Sequence, residues 1–256
     1  MTLDTTIAER ARVWSTHAAF DEATRNEVQA LLDQNEEQEL TERFYKDLEF
    51  GTGGMRGILG AGTSRMNIYN VRKASQAYAN YLKKTLPDQP LKFAIAYDSR
   101  RFSREFAEAA ASVYAANGLK VYLTKELRPV PMLSFMVRHF ECHGGVCVTA
   151  SHNPPDYNGY KVYWGHGGQV TPPHDNNVIA EYAAIDDYST IKTTDFKVAC
   201  ESGQIEMVGE EFDQLYFHQV KKLSLNDSGR DGFKIVYSPL HGAGLHPVTT
   251  CLEAFG

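Results

Sequence analysis

LKFAIAYDSRRFSREFAEAAASVYAANGLKVYLT, Leu91 to Thr124, is the stretch whose reading decides the fold. Leu91 to Tyr97 is an apolar run of strand length. Glu105 to Asn117 carries helical spacing and is closed by Gly118, and Lys120 to Thr124 reads as a second strand. Downstream the alternation continues, with a short helix over Met132 to Phe140 and a compact β-branched run, Val146 to Ala150, of the kind buried on both faces. Strand, helix, strand in this order predicts an α/β protein, a mixed, mainly parallel sheet sandwiched between helices, with ligands at the carboxyl ends of the strands. The loop after Ala150 is therefore the place to look for chemistry.

Working outward, the first fifty residues read as helices. Thr24 with Glu27 forms a capping box ahead of Val28, Leu31 and Leu32, and Asn35 is placed to cap a second run through Phe44. The spacing of Val71, Ala74, Ala77, Tyr78, Tyr81 and Leu82 predicts one buried face of a helix that stops before Pro87. Toward the other end, Asp186 to Gly203 is polar and turn-rich and reads as a connection. Beyond it come a helix over Glu210 to Leu223, a strand over Phe233 to Tyr237, a turn and a final helix to Phe255. The expected organisation is a helical extension over 1–45, the main α/β domain over 46–190, and the start of a second, similar α/β domain over 205–256. One β-α step cannot cover a parallel strand on both sides, so that last unit is expected to be incomplete.

Composition narrows the functional classes. The 256 residues are 43% hydrophobic and 23% charged, as in ordinary globular proteins. No run is apolar and long enough to span a bilayer, and the opening MTLDTTIAERARVW is polar where a secretory signal needs an apolar core, so no membrane association is expected and the cytoplasm is the expected compartment. A net charge of -6 argues against a nucleic-acid surface and points to a small-molecule partner. Four scattered cysteines offer neither a disulfide framework nor C-x-x-C; Cys142, His143 and Cys147 lack the paired spacing of zinc ligands.

The residues that carry chemistry lie in TASHNPPDYNGYK, Thr149 to Lys161. Ser151 follows a buried strand directly, so its hydroxyl is expected on a rigid rim. Pro154 and Pro155 stiffen the loop, and Asn158-Gly159 is read as a tight turn into a second strand, Tyr160 to Trp164, which brings Lys161 near Ser151. A lysine there suits a phosphorylated serine, whose charge is about -1.5 to -2 at neutral pH, and can assist proton transfer. Taken singly, Ser, His and Asn in such a loop are more often turn formers. A serine hydrolase is disfavoured: Ser151 and His152 would point to opposite faces of an extended segment, and no G-x-S-x-G elbow is present.

At this loop the chain resembles the phosphohexomutases, the phosphoglucomutase and phosphomannomutase family, whose active serine lies in a T-A/G-S-H-N-P loop. FGTGGMRG (Phe50 to Gly57), AYDSR (Ala96 to Arg100), RPVPM near Pro129 and KIVYSPLHGAG (Lys234 to Gly244) extend the resemblance over nearly all the chain after Phe50. The helical extension, the GTGGMRG form and YNGYKVYW look closest to the long branch of phosphoglucomutase-2-like enzymes and phosphopentomutases. By itself FGTGGMRG would be weak, since it lacks the Lys-Ser/Thr ending of a nucleotide-binding loop.

The resemblance implies that Ser151 is the phosphoserine and that Arg56 and Lys161 are the cations beside the transferring group, with His152 and Asn153 lining the loop. It implies one magnesium ion per site, met in this chain by Ser151 through its phosphate, and a sugar bisphosphate as intermediate. The expected activity interconverts the 1-phosphate and 6-phosphate of glucose or mannose, with pentose phosphates or a non-catalytic sugar-phosphate-binding module as alternatives. The family's D-G-D-x-D-R metal loop and its later sugar-recognition and phosphate-clamp segments are not in these 256 residues, so the chain alone is expected to be nearly inactive.

Overall fold

The computed structural model describes residues 3–51, 53–226 and 232–256. Met1 and Thr2 of the opening segment, Thr52 of the glycine-rich segment and residues 227–231 lie outside the described residues. Helices α1 (Thr5–Thr16), α2 (Glu22–Asp33) and α3 (Glu37–Phe44) come first. After them the chain enters the sheet through β1 (Phe50–Gly51) and β2 (Gly54–Ile58). Helix α4 (Ile68–Thr85) leads to β3 (Lys92–Tyr97), α5 (Ser103–Ala116), β4 (Lys120–Thr124), α6 (Val130–His139), β5 (Gly144–Val148) and β6 (Tyr157–Trp164). Then follow α7 (His174–Ala183), a short 3-10 turn, α8 (Phe196–Glu201), β7 (Ile205–Val208), α9 (Glu210–Lys221) and α10 (Leu245–Phe255).

The strands form one seven-stranded sheet in the order β1-β2-β6-β5-β3-β4-β7. It is mixed: β5, β3, β4 and β7 run parallel, while β6 is antiparallel to both β5 and β2. This is the expected α/β class. From β3 the chain goes on to the β4 side and from β5 to the β6 side, so the outgoing chains diverge and a crevice opens between the carboxyl ends of β3 and β5. The turn after β3 and the Ser151 loop after β5 meet there.

One apolar layer joins the sheet to α4, α5, α7 and α8 through Tyr78, Phe93, Ile95, Tyr114, Tyr160 and Val162. A second, on the other face, packs α6 and α9 against it through Met132, Leu133, Met136, Phe212 and Phe217. Within the first layer the buried hydroxyls of Ser75, Tyr160 and Tyr114 form a chain with links of 2.7 and 2.8 Å. The extension has a small core of its own, Trp14, Phe20, Phe44 and Tyr69, the last contributed by α4.

Several sequence readings are corrected. Helix α2 is capped by Asp21, whose side chain accepts from Thr24 N–H, so Thr24 lies inside the helix; Asp is as good a cap, and it begins the same turn three residues earlier. Asn35 does not cap α3 but sits in the left-handed conformation that ends the previous helix. Asn158 and Gly159 are not a turn; they are paired with Gly57 and Arg56 inside β6. Gly159 is needed for close approach, because a Cβ there would lie 2.6 Å from the Thr149 carbonyl oxygen. Residues 205–208, read as the opening of a second unit, complete the first sheet as β7 beside β4. The predicted strand over Phe233 to Tyr237 is not formed: Phe233, Ile235 and Val236 stand exposed, with no ladder partner among the described residues.

Candidate active site

Ser151 sits three residues past β5, exposed, with a φ of 57°. Left-handed backbone is uncommon for a residue with a Cβ and persists where the surroundings hold it. Here the Ser151 N–H donates to Thr149 Oγ1 at 3.0 Å and the Asn153 N–H to the Ala150 carbonyl at 3.2 Å, closing a tight loop. The bend corrects one sequence argument. Ser151 is not on an extended segment, and its Oγ lies 3.3 Å from His152 Nδ1 rather than across from it. His152 shows no carboxylate partner among the described residues, so nothing orients it as the base of a hydrolytic triad.

Arg56 reaches the loop from β2, and Lys161 lies on the neighbouring strand β6. In the ladder Arg56 faces Gly159, Gly54 faces Lys161, and Lys161 faces Cys147. Alternation of side chains puts Arg56 and Lys161 on the same face of the sheet. The exposed Arg56 reaches across β6 and donates from Nη1 to Asn153 Oδ1 at 3.0 Å, which ties it to the loop that carries Ser151 and His152. Half-buried Lys161 has no hydrogen-bond or ion-pair partner among the described residues and stands beside the buried thiol of Cys147. Burial pushes that thiol up to about 12. Between α3 and β2, next to Arg56, opens a cavity of about 350 Å³ lined by Tyr45, Lys46, Arg65 and Tyr157 among others.

The loop has a further support that sequence reasoning left without a role. Arg100, in the turn after β3, donates from Nη1 to the carbonyls of Pro154 and Tyr157 at 2.8 and 2.9 Å, and from Nη2 to those of Ser151 and Asn153 at 2.8 and 2.5 Å. Its Nε lies 3.6 Å from Asp98 Oδ2.

A magnesium ion needs oxygen ligands, chiefly carboxylates and waters in octahedral array. Among the described residues that set is lacking around Ser151: Asp98 is taken up by Arg100 and Ser103, and the loop carbonyls are taken up by Arg100. The residues present do not fit a complete metal centre, and only a phosphate on Ser151 would offer the ion a ligand. Elsewhere, ligand atoms of Glu210, Asp213 and His246 lie within 4.8 Å of one another, but Asp213 is engaged by Arg128.

An exposed hydroxyl at the rim where the outgoing chains of a mixed sheet diverge, with Arg56 and Lys161 on one sheet face, is the geometry of an α/β domain whose crevice lies at its strand ends. The domain described as phosphoglucomutase/phosphomannomutase, alpha/beta/alpha domain I, matches residues 47–189, and the chain belongs to that family, in its phosphoglucomutase-2-like branch. It is 38% identical over 244 residues to the probable phosphoribomutase of Schizosaccharomyces pombe, covering 92% of this chain and 40% of that protein. To the phosphoglucomutase of Staphylococcus saprophyticus it is 33% identical over 225 residues, covering 88% and 40%. The open-form phosphoglucomutase parafusin of Paramecium superposes with a TM-score of 0.58 at 17% identity, over 82% of this chain and 42% of that one, which shows the shared fold. The chain thus spans about 40% of the length of the curated relatives it matches. Among the described residues, no helix is long and apolar enough to cross a membrane.

Proposed function

We propose that this chain supplies the phosphoryl-carrying serine of a phosphosugar mutase. Phosphorylated Ser151 gives its phosphoryl group to the free hydroxyl of a sugar monophosphate: the bond from phosphorus to Ser151 Oγ breaks, a bond to the sugar oxygen forms, and the proton lost by the sugar hydroxyl is balanced by the one that the departing Ser151 oxygen takes up. The sugar bisphosphate so formed returns its other phosphoryl group to Ser151, with bond changes reversed. Arg56 offsets the charge spread over the transferring oxygens, and Lys161 stabilises the phosphoserine and shares in the proton's movement; His152 and Asn153 line the loop. The observation that carries this reading is Arg56 on Asn153, with Lys161 on the same sheet face.

Glucose and mannose phosphates are the substrates this reading favours, with pentose phosphates an alternative that the name of the Schizosaccharomyces pombe relative raises. Magnesium would neutralise charge at the transferring group, with its carboxylates coming from outside this chain. The partner is a sugar phosphate, with no nucleic acid and no membrane, and the compartment the cytoplasm. A second reading, a sugar-phosphate-binding module without turnover, draws on the lack of a free metal-binding carboxylate set around Ser151 among the described residues. Incubation with glucose 1,6-bisphosphate followed by peptide mass spectrometry decides between them. The mutase reading expects one added phosphoryl group on the peptide containing Ser151, none in Ser151→Ala, and loss of mutase activity in that variant of the full-length enzyme. A fully active Ser151→Ala enzyme would sink it.

A further inference from the structure

We infer that Arg100 is a positioning residue for the serine loop, and that its guanidinium, anchored on Asp98, holds Ser151 in its left-handed conformation. This rests on the phosphoserine reading above. An irregular loop must still satisfy its backbone carbonyls, and this one contains Pro154 and Pro155, which carry no N–H to offer them. Arg100 fills that need. Its planar fork has five N–H donors. The two terminal nitrogens serve the carbonyls of Ser151, Asn153, Pro154 and Tyr157, and Nε faces Asp98.

Asp98 is itself fixed. Its Oδ1 accepts from Arg100 N–H at 3.0 Å and from Ser103 Oγ at 2.8 Å, while its own N–H donates to the carbonyl of Val148, the last residue of β5. The far stem is tied to the same turn, since Asn158 Nδ2 donates to the Arg101 carbonyl at 2.9 Å and to Ser103 Oγ at 3.0 Å. Both ends of the serine loop are therefore sewn to the turn after β3. The side chains of Arg100 and Asp98 are only 12% and 14% exposed; the bonds to Tyr157 and Asn153 are partly shielded from water, while those to Ser151 and Pro154 lie at the surface. Arg100 acts through the backbone of the loop: it sets where the Ser151 oxygen stands, and Arg56 and Lys161 meet the phosphoryl group. A lysine keeps the charge but has three donors on a single nitrogen and cannot span four carbonyls.

The test uses the full-length protein carrying Arg100→Gln and, because that change removes a buried charge and can cost folding, Arg100→Lys beside it. Hydrogen exchange of residues 149–158 is expected to quicken at least about tenfold in Arg100→Gln and by less in Arg100→Lys, with α4 unchanged. With saturating glucose 1,6-bisphosphate, the rate of phosphoryl transfer to Ser151 is expected to fall on the order of 100-fold, the size of effect a misplacement near 1 Å produces. The half-saturating concentration should change less than about threefold, because the phosphate-binding cations are untouched. Loop exchange equal to wild type in both variants overturns the inference, as does a transfer rate unchanged in a loosened loop. Wild-type protein that takes no phosphoryl group while its loop exchange behaves as expected instead overturns the phosphoserine reading and leaves the anchoring intact.

Discussion

A hydrogen in place of a methyl group at residue 159 lets the serine loop lie against its own stem. A Cβ there would stand 2.6 Å from the carbonyl oxygen of Thr149 and 3.1 Å from that of Met55, both backbone atoms that cannot swing aside. Gly159→Ala is expected to cost about 1–3 kcal/mol, as overpacking does. Chemical denaturation measures it, and an unmoved midpoint would mean that β6 can spread at this point freely. The same layer hides two thiols. Cys142 and Cys147 are both buried, and burial pushes each up to about 12. Cys200 and Cys251 are only partly covered. Ellman's reagent at pH 8 is therefore expected to modify no more than those two in the native protein and all four of its cysteines in denaturant. Rapid reaction of a third native thiol would show the layer beside Lys161 to be open.

Among the elements, the three inner parallel strands were the easiest to read because they are largely buried and so spell mostly apolar runs: 92–97, 120–124 and 144–148 fall within three residues of their predicted bounds. The strands β1, β2 and β7 escaped for the opposite reason. The first two are written in glycine, and β7 is a four-residue edge strand whose Glu206 faces solvent. In the candidate site, Ser151, Arg56, Lys161, His152 and Asn153, whose catalytic roles rest on the proposal above, were singled out by their chemistry. Arg100 was not, because it binds backbone carbonyls, which no pattern of side chains announces; an aspartate two positions before it at the end of a buried strand was the available clue.

Helix α9, beyond β7, is locked to the entry of α6 by an ion pair invisible in sequence. Arg128 Nε and Nη2 meet Asp213 at 2.9 and 2.5 Å, with the side chains 9% and 2% exposed. Asp213→Ala leaves a nearly buried guanidinium without its partner and is expected to destabilise by about 3–5 kcal/mol. The double variant Arg128→Met, Asp213→Leu should recover most of that. A single variant as stable as wild type in thermal unfolding would show that the pair only decorates the contact between α6 and α9.

At the scale of the whole chain the question is whether the helical extension is an appendage or part of one cooperative unit. Its core answers for fusion. Trp14, 1% exposed, stacks on Phe20 at 4.3 Å and meets Tyr69 of α4 at 5.6 Å and Tyr188, beyond α7, at 5.7 Å, so α1 is packed against two segments of the sheet domain far apart in the chain. Arg10 of α1 adds an ion pair to Asp47 at 3.6 Å, and Lys73 of α4 meets the same carboxylate at 3.1 Å. Trp14→Ala removes the centre of this cluster and is expected to cost about 3–5 kcal/mol. For a chain of this size each kcal/mol lowers the melting temperature by about 2–4 °C, so a fall on the order of 10 °C follows. The substitution also leaves Trp164 as the single remaining tryptophan of the two, at the end of β6 and stacked on His174 at 3.9 Å, where its fluorescence reports on the sheet alone. If extension and sheet melt together, fluorescence and far-ultraviolet circular dichroism should fall on one curve, displaced as a whole. If Trp164 instead keeps the wild-type transition while helical signal is lost earlier, the extension unfolds by itself. The contacts of Tyr69 and Tyr188 then carry no coupling between it and the sheet that holds Ser151.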